Sequence, residues 1–108
     1  MAKIGQLVLN NGKWHGEKII PEEWINGSTK NYIRVSEEFG YGYFWWKYNF
    51  NINGTVVKTT LAWGYGGQFI FIFKDLSMVV CFLSGNYIND KSMRPFEIVR
   101  NYILPAVL

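Results

Sequence analysis

A chain of 108 residues with 49% hydrophobic and 19% aromatic content fits one globular domain with a small core. Its net charge of +3 comes from 11 basic and 8 acidic side chains scattered without a run of like sign, which argues against a nucleic-acid partner. One cysteine, Cys81, and one histidine, His15, supply neither a disulfide framework nor a metal cluster.

Ile4, Leu7 and Val8 recur at helical spacing ahead of Asn10-Asn11-Gly12, residues that accept the left-handed conformations ending a helix. This predicts a short amphipathic helix over Met1–Leu9. Gly12-Lys-Trp-His-Gly16 and Glu17-Lys-Ile-Ile20 read as a tight glycine-bounded loop in which His15 is solvated. Pro21 followed by Glu22 and Glu23 suits a helix N-terminus, and that helix should run to about Gly27 or Thr29. From Phe39 the pattern turns to strand. Gly40 and Gly42 interrupt Tyr41, Tyr43, Phe44, Trp45 and Trp46 in one β-rich aromatic run. Tyr43 to Tyr48 could stack on bases, but without a basic patch it reads as a half-buried strand. Asn51-Ile-Asn-Gly54 and the β-branched run Thr55–Thr60 complete a hairpin. Gln68–Phe73 and Met78–Leu83 form a second hairpin across Lys74-Asp75-Leu76-Ser77, with Cys81 packed inside it like an aliphatic group. Phe96, Val99 and Ile103 share a face of a helix over Ser92–Leu104, capped by Asp90 or Ser92 and laid across the sheet. The order predicts an α+β fold, an antiparallel sheet flanked by helices, as a single unit over residues 1–108.

Ala62-Trp-Gly-Tyr-Gly-Gly-Gln68 places three glycines in four positions ahead of an apolar strand. On spacing alone Gly64, Gly66 and Gly67 make a bulged strand entry. Asn26-Gly-Ser28 and Asn53-Gly-Thr55 serve as cap and turn sequences rather than as glycosylation acceptors. No segment approaches the roughly 20 apolar residues of a membrane span, and Met1–Gly5 lacks the apolar core of a secretory signal. None of the five serines, Ser28, Ser36, Ser77, Ser84 and Ser92, has a lysine three positions on, so the Ser-x-x-Lys nucleophile motif is absent. The chain alone is therefore not expected to catalyse anything.

Five segments in order carry a resemblance. They are Lys3-Ile-Gly-Gln-Leu-Val-Leu9, Gly12-Lys-Trp-His-Gly-Glu-Lys-Ile-Ile-Pro-Glu-Glu-Trp24, Tyr41-Gly-Tyr-Phe-Trp-Trp46, Ala62-Trp-Gly-Tyr-Gly-Gly-Gln68, and Met78-Val-Val80 with Ser84-Gly-Asn-Tyr87. Together they resemble the C-terminal part of β-lactamase-related serine hydrolases, the group of class C β-lactamases, related esterases and 6-aminohexanoate-dimer hydrolases. The resemblance implies the C-terminal portion of a β-lactamase/transpeptidase-like, penicillin-binding-protein-like fold. It also implies that the serine, lysine and tyrosine of catalysis lie in a segment preceding this one. In the family's third motif, usually Lys or His, then Thr or Ser, then Gly, this chain has Ala62-Trp63-Gly64. The cation is replaced by Ala62, which favours neutral ester or amide substrates over β-lactams. Substrate would then lie against Ala62, Trp63, Gly64, Tyr65, Gly66, Gly67 and Gln68. By the same resemblance, bare glycine backbone would let a carbonyl approach the strand edge, with the Tyr65 N–H as an oxyanion donor. No metal or cofactor is implied, and the complete protein could be exported. An expected consequence is a homo-oligomer joined through aromatics at Tyr41–Trp46 and Trp63 or through an unpaired strand edge. Two other readings stay open. One is a stand-alone module binding peptide or glycan on the aromatic surface of Tyr41–Tyr48, and the other is a small single-stranded nucleic-acid binder, which the weak charge disfavours.

Overall fold

The first amphipathic stretch folds as α1, Ala2–Leu9, in a computed structural model that describes residues 2–30, 33–34, 39–42, 45–64, 68–83 and 93–108. α1 ends where Asn11 takes φ 57°, with the Gly12 N–H donating to the Leu7 carbonyl at 2.8 Å. The segment expected as a loop is a minimal hairpin. Lys13–Trp14 (β1) pairs antiparallel with Glu17–Lys18 (β2) around His15 (φ 51°) and Gly16 (φ 82°), as two-residue turns with positive φ favour. His15 is exposed there. Helix α2, Glu22–Ser28, follows Pro21 at its N-cap, with Glu22 and Glu23 in the first turn facing the positive end of the helix dipole. At its C-terminal end the Ile25 carbonyl accepts from both the Thr29 N–H at 3.1 Å and the Thr29 hydroxyl at 2.7 Å.

Six strands then form one antiparallel sheet in chain order: β3 Ile33–Arg34, β4 Phe39–Gly42, β5 Trp45–Ile52, β6 Thr55–Gly64, β7 Gln68–Phe73 and β8 Met78–Phe82. The aromatic run from Phe39 is not one strand, as the sequence suggested, but belongs to two. Tyr41 stands opposite Trp46 and Gly42 opposite Trp45. The antiparallel pairing lets rings meet, Phe39 with Tyr48 at 4.8 Å and Tyr41 with Trp46 at 4.6 Å between centroids. Both later hairpins form as expected. Asn53 (φ 51°) and Gly54 (φ 88°) make the β5–β6 turn, and the Gly54 N–H donates to Asn51 Oδ1 at 3.0 Å. A 3₁₀ turn, Lys74–Leu76, and left-handed Ser77 join β7 to β8. β6 runs past Thr60 to Gly64, so Ala62-Trp63-Gly64 sits on a strand end.

The C-terminal helix is continuous but not uniform: α3 Arg94–Ile98, a π-helical turn Val99–Ile103, and α4 Leu104–Val107. It starts after Met93 without a side-chain cap and with Pro95 in its first turn; Asp90 and Ser92, the expected caps, lie outside the described residues. It also continues beyond Leu104. The π turn lies just ahead of Pro105, which cannot give the N–H an α-helical ladder requires.

Each face of the sheet has its own cover. On one, Phe50, Leu61, Phe69, Phe71 and Phe73 are sealed by Phe96, Val99 and Leu104 of the C-terminal helix. The Phe96 ring is the centre of that layer, with its centroid 5.2 Å from those of Phe69 and Phe71 and 5.3 Å from that of Tyr48. Arg100 closes the margin, donating from Nη2 to the Tyr48 hydroxyl at 2.8 Å with its guanidinium over the Phe50 ring. On the other face, Val8 of α1 and Ile25 of α2 cover Ile70 and Ile72, and half-buried Cys81 packs beside them as a small apolar group. Contact is close enough that a Cβ at Gly5 would fall 2.6 Å from Val79 Cγ1. β7 is thus buried on both faces, which explains its unbroken apolar sequence.

Candidate functional site

Ala62, Trp63 and Gly64 close β6 while Gln68 opens β7, and Gly64 stands opposite Gln68 in the ladder. With Tyr41, Trp46 and Ile70 they line an open cleft of about 350 Å³. Four residues expected to meet substrate therefore come together at one end of the sheet. Tyr65, Gly66 and Gly67, including the expected oxyanion N–H, lie outside the described residues.

One wall of the cleft is aromatic. The rings form a chain with centroid distances of 4.6 Å for Tyr41–Trp46, 5.3 Å for Trp46–Trp63 and 5.5 Å for stacked Trp63–Phe69, tying the wall to the core. Such packing holds large flat surfaces at little conformational cost. Of the aromatic surface expected at Tyr41–Trp46 and around Trp63, Tyr41, Trp46 and Trp63 are half-buried in one ring cluster and Trp45 is half-buried on the other face, while Tyr43 and Phe44 lie outside the described residues. Among the described residues the large aromatics that stand out are Trp24 (59% exposed) and Tyr102 (73% exposed), neither of which lines this cleft.

Gly64 differs from the glycines of the turns. Its φ is not in the left-handed region, and a Cβ built on it would rest 3.4 Å from Gln68 Cβ and 3.6 Å from Gln68 Oε1, ordinary contacts. Neither torsion nor internal packing calls for glycine there, although glycine weakens a strand. Ala62, in the place where the resemblance has a cation, is half-buried opposite Ile70. The described lining is therefore neutral: a phenol, two indoles, a carboxamide and alkyl groups. It suits stacking and hydrogen bonding of a neutral polar molecule, and its one titratable side chain among the described residues is the Tyr41 phenol. Among the described residues no three of His, Cys, Asp and Glu converge as metal ligands, and no helix is long and apolar enough to cross a membrane.

The sequence named Ala62, Trp63, Gly64 and Gln68 but did not assign Tyr41, Trp46 or Ile70 to the same site. Reading Phe39 to Trp46 as one strand concealed the chain reversal that carries Tyr41 to Trp46, whose ring in turn meets Trp63. No protein-family model matches the sequence, and no curated protein matches it significantly.

Proposed function

We propose that this chain is the C-terminal portion of a β-lactamase-related serine hydrolase that acts on neutral esters or amides. In this reading it supplies the edge of the active site and a backbone oxyanion donor at Tyr65, while the nucleophilic serine and its lysine come from another segment of the polypeptide. The observation that carries the proposal is Gly64, a glycine on a strand end facing a cleft and explained by neither its torsion nor its neighbours. An acyl group approaching the backbone to within about 3 Å gives it a reason. The neutral lining around Ala62 supports an uncharged substrate over one recognised through a carboxylate.

Self-association belongs to the same proposal. β8 is an outer strand of the described sheet and its residues are half-buried, so a second copy can extend the ladder there. The aromatic wall favours a second reading, a non-catalytic module holding peptide or glycan against Tyr41, Trp46 and Trp63. The coding sequence read in frame ahead of the Met1 codon separates the two. A Ser-x-x-Lys followed by a Tyr-x-Asn is expected for the hydrolase, and a stop codon with a ribosome-binding site would select the module.

A further inference from the structure

A second cleft, of about 500 Å³, lies along the middle of the β5–β6 hairpin, starting at the Lys47–Thr60 pair next to Trp46 and Leu61. Lys47, Asn49, Lys58, Thr60, Lys74 and Asp75 are among its lining residues. Register explains the gathering. Lys47 pairs with Thr60, Asn49 with Lys58, and Thr60 with Ile72, two residues before Lys74, so the alternation of three adjacent strands sends these side chains to one face. This is the face that α1 and α2 cover at Ile70 and Ile72; beyond their cover it turns from apolar to basic.

The hydrogen bonds leave the cations short of counter-charge. Lys47 Nζ donates to Thr60 Oγ1 at 2.6 Å, and Lys74 Nζ donates to Asn11 Oδ1 at 3.0 Å. An ammonium has three donors, so each of these two retains capacity for more. Among the described residues no carboxylate lies within ion-pair distance of Lys47, Lys58 or Lys74, and Asp75 is the lone acid of the lining. Lys47 is partly buried, and desolvation together with the nearby Lys74 charge holds its pKa below the ordinary value. Partly buried charges in folded proteins are normally matched by an opposite charge. Here the matching charge is missing from the described chain, while hydroxyl and amide groups stand beside the lysines ready to orient an oxyanion.

We propose that this cleft binds the phosphate group of a small phosphate monoester, with Lys47 and Lys74 holding the dianion, Thr60 and Asn49 orienting it, and Lys58 adding charge at the mouth. A compact multivalent oxyanion suits point-charge lysines. The volume exceeds that of a free phosphate ion, which is why the monoester, with an organic remainder lying toward Ile72, is the favoured ligand. The proposal does not depend on the hydrolase reading, because it uses none of Ala62, Trp63, Gly64 or Gln68.

The test is titration of the whole protein with phenyl phosphate, inorganic phosphate and chloride at constant ionic strength, followed by amide chemical shifts and by calorimetry. Saturable binding of phenyl phosphate is expected, tighter than that of inorganic phosphate and absent for chloride, with shifts centred on residues 47, 58–60 and 74. Lys47→Met and Lys74→Met should each weaken it by about tenfold or more. Lys58→Ala, an exposed strand position that leaves the fold intact, should weaken it less but measurably. Tighter binding of inorganic phosphate than of the monoester would overturn the assignment to an organic phosphate. No saturable binding, or binding unchanged in all three variants, would overturn the site itself.

Discussion

Replacing Gly5 by alanine tests how α1 sits on the sheet, because two effects of known size oppose each other. In a solvated helix the change should stabilise by about 1 kcal/mol, since alanine loses less backbone entropy. In this protein the new Cβ would fall 2.6 Å from Val79 Cγ1 and 2.9 Å from Ile70 Cγ2. Neither neighbour yields easily: both are β-branched, with restricted χ1, and Ile70 is buried under Val8 and Ile25. Overpacking of this kind costs about 1–3 kcal/mol, so Gly5→Ala should be destabilising by up to about 2 kcal/mol net. Gly27 supplies the control, because a Cβ in its place within α2 would meet nothing within 4 Å. Gly27→Ala should therefore stabilise, by about 0.5–1 kcal/mol. Urea unfolding with a common m-value reads the two as midpoint shifts of opposite sign. Equal stabilisation by both substitutions would refute the close seating of α1 on β7 and β8.

Phe96→Ala removes the ring on which the first core layer converges and should cost about 3–5 kcal/mol in urea unfolding, with a large loss of near-UV dichroism. Gly54→Ala meets no steric neighbour but must hold φ 88°, so a cost of about 1–2 kcal/mol is expected from torsion alone, and a neutral result would argue against the tight turn. The folded protein binds the Lys47 proton less tightly than the unfolded chain does. The unfolded state therefore holds more protons between the lowered folded value and the ordinary 10.5, and stability should rise with pH across that interval. Lys47→Met should flatten that rise; an unchanged slope would show that Lys47 is solvated. Light scattering at micromolar concentration should give a dimer mass, and a sharp monomer would rule out pairing through β8.

The fold was legible where local chemistry decides it. Asn53-Gly54 can hardly form anything but a primed turn, and the β-branched run after it pairs back onto the preceding strand. The helix over Ala2–Leu9 and the strand Gln68–Phe73 follow likewise from periodicity and from a continuous apolar run. What escaped the sequence is pairing. Aromatic residues favour a strand without saying where it reverses, so Tyr41 and Trp46 read as neighbours along one strand rather than as partners across two. The same limit hid the basic cleft. Lys47, Lys58 and Lys74 are scattered charges along the chain and become one cluster only through the registers of β5, β6 and β7. Of the cleft's lining, Ala62, Trp63, Gly64 and Gln68 were named only through the family resemblance, since spacing alone read the glycines as a bulged strand entry, while the aromatic wall needed the register.

Acylation of the intact gene product, reacted with a p-nitrophenyl ester or a fluorophosphonate and mapped by mass spectrometry, tests the hydrolase proposal most directly. The account predicts one modified serine, in a Ser-x-x-Lys outside residues 1–108, whose burst is slowed about 10²–10³-fold by Tyr65→Pro, which removes the N–H, and little by Tyr65→Ala, which keeps it. No acylated serine, or a label on Ser28, Ser36, Ser77, Ser84 or Ser92, would contradict it.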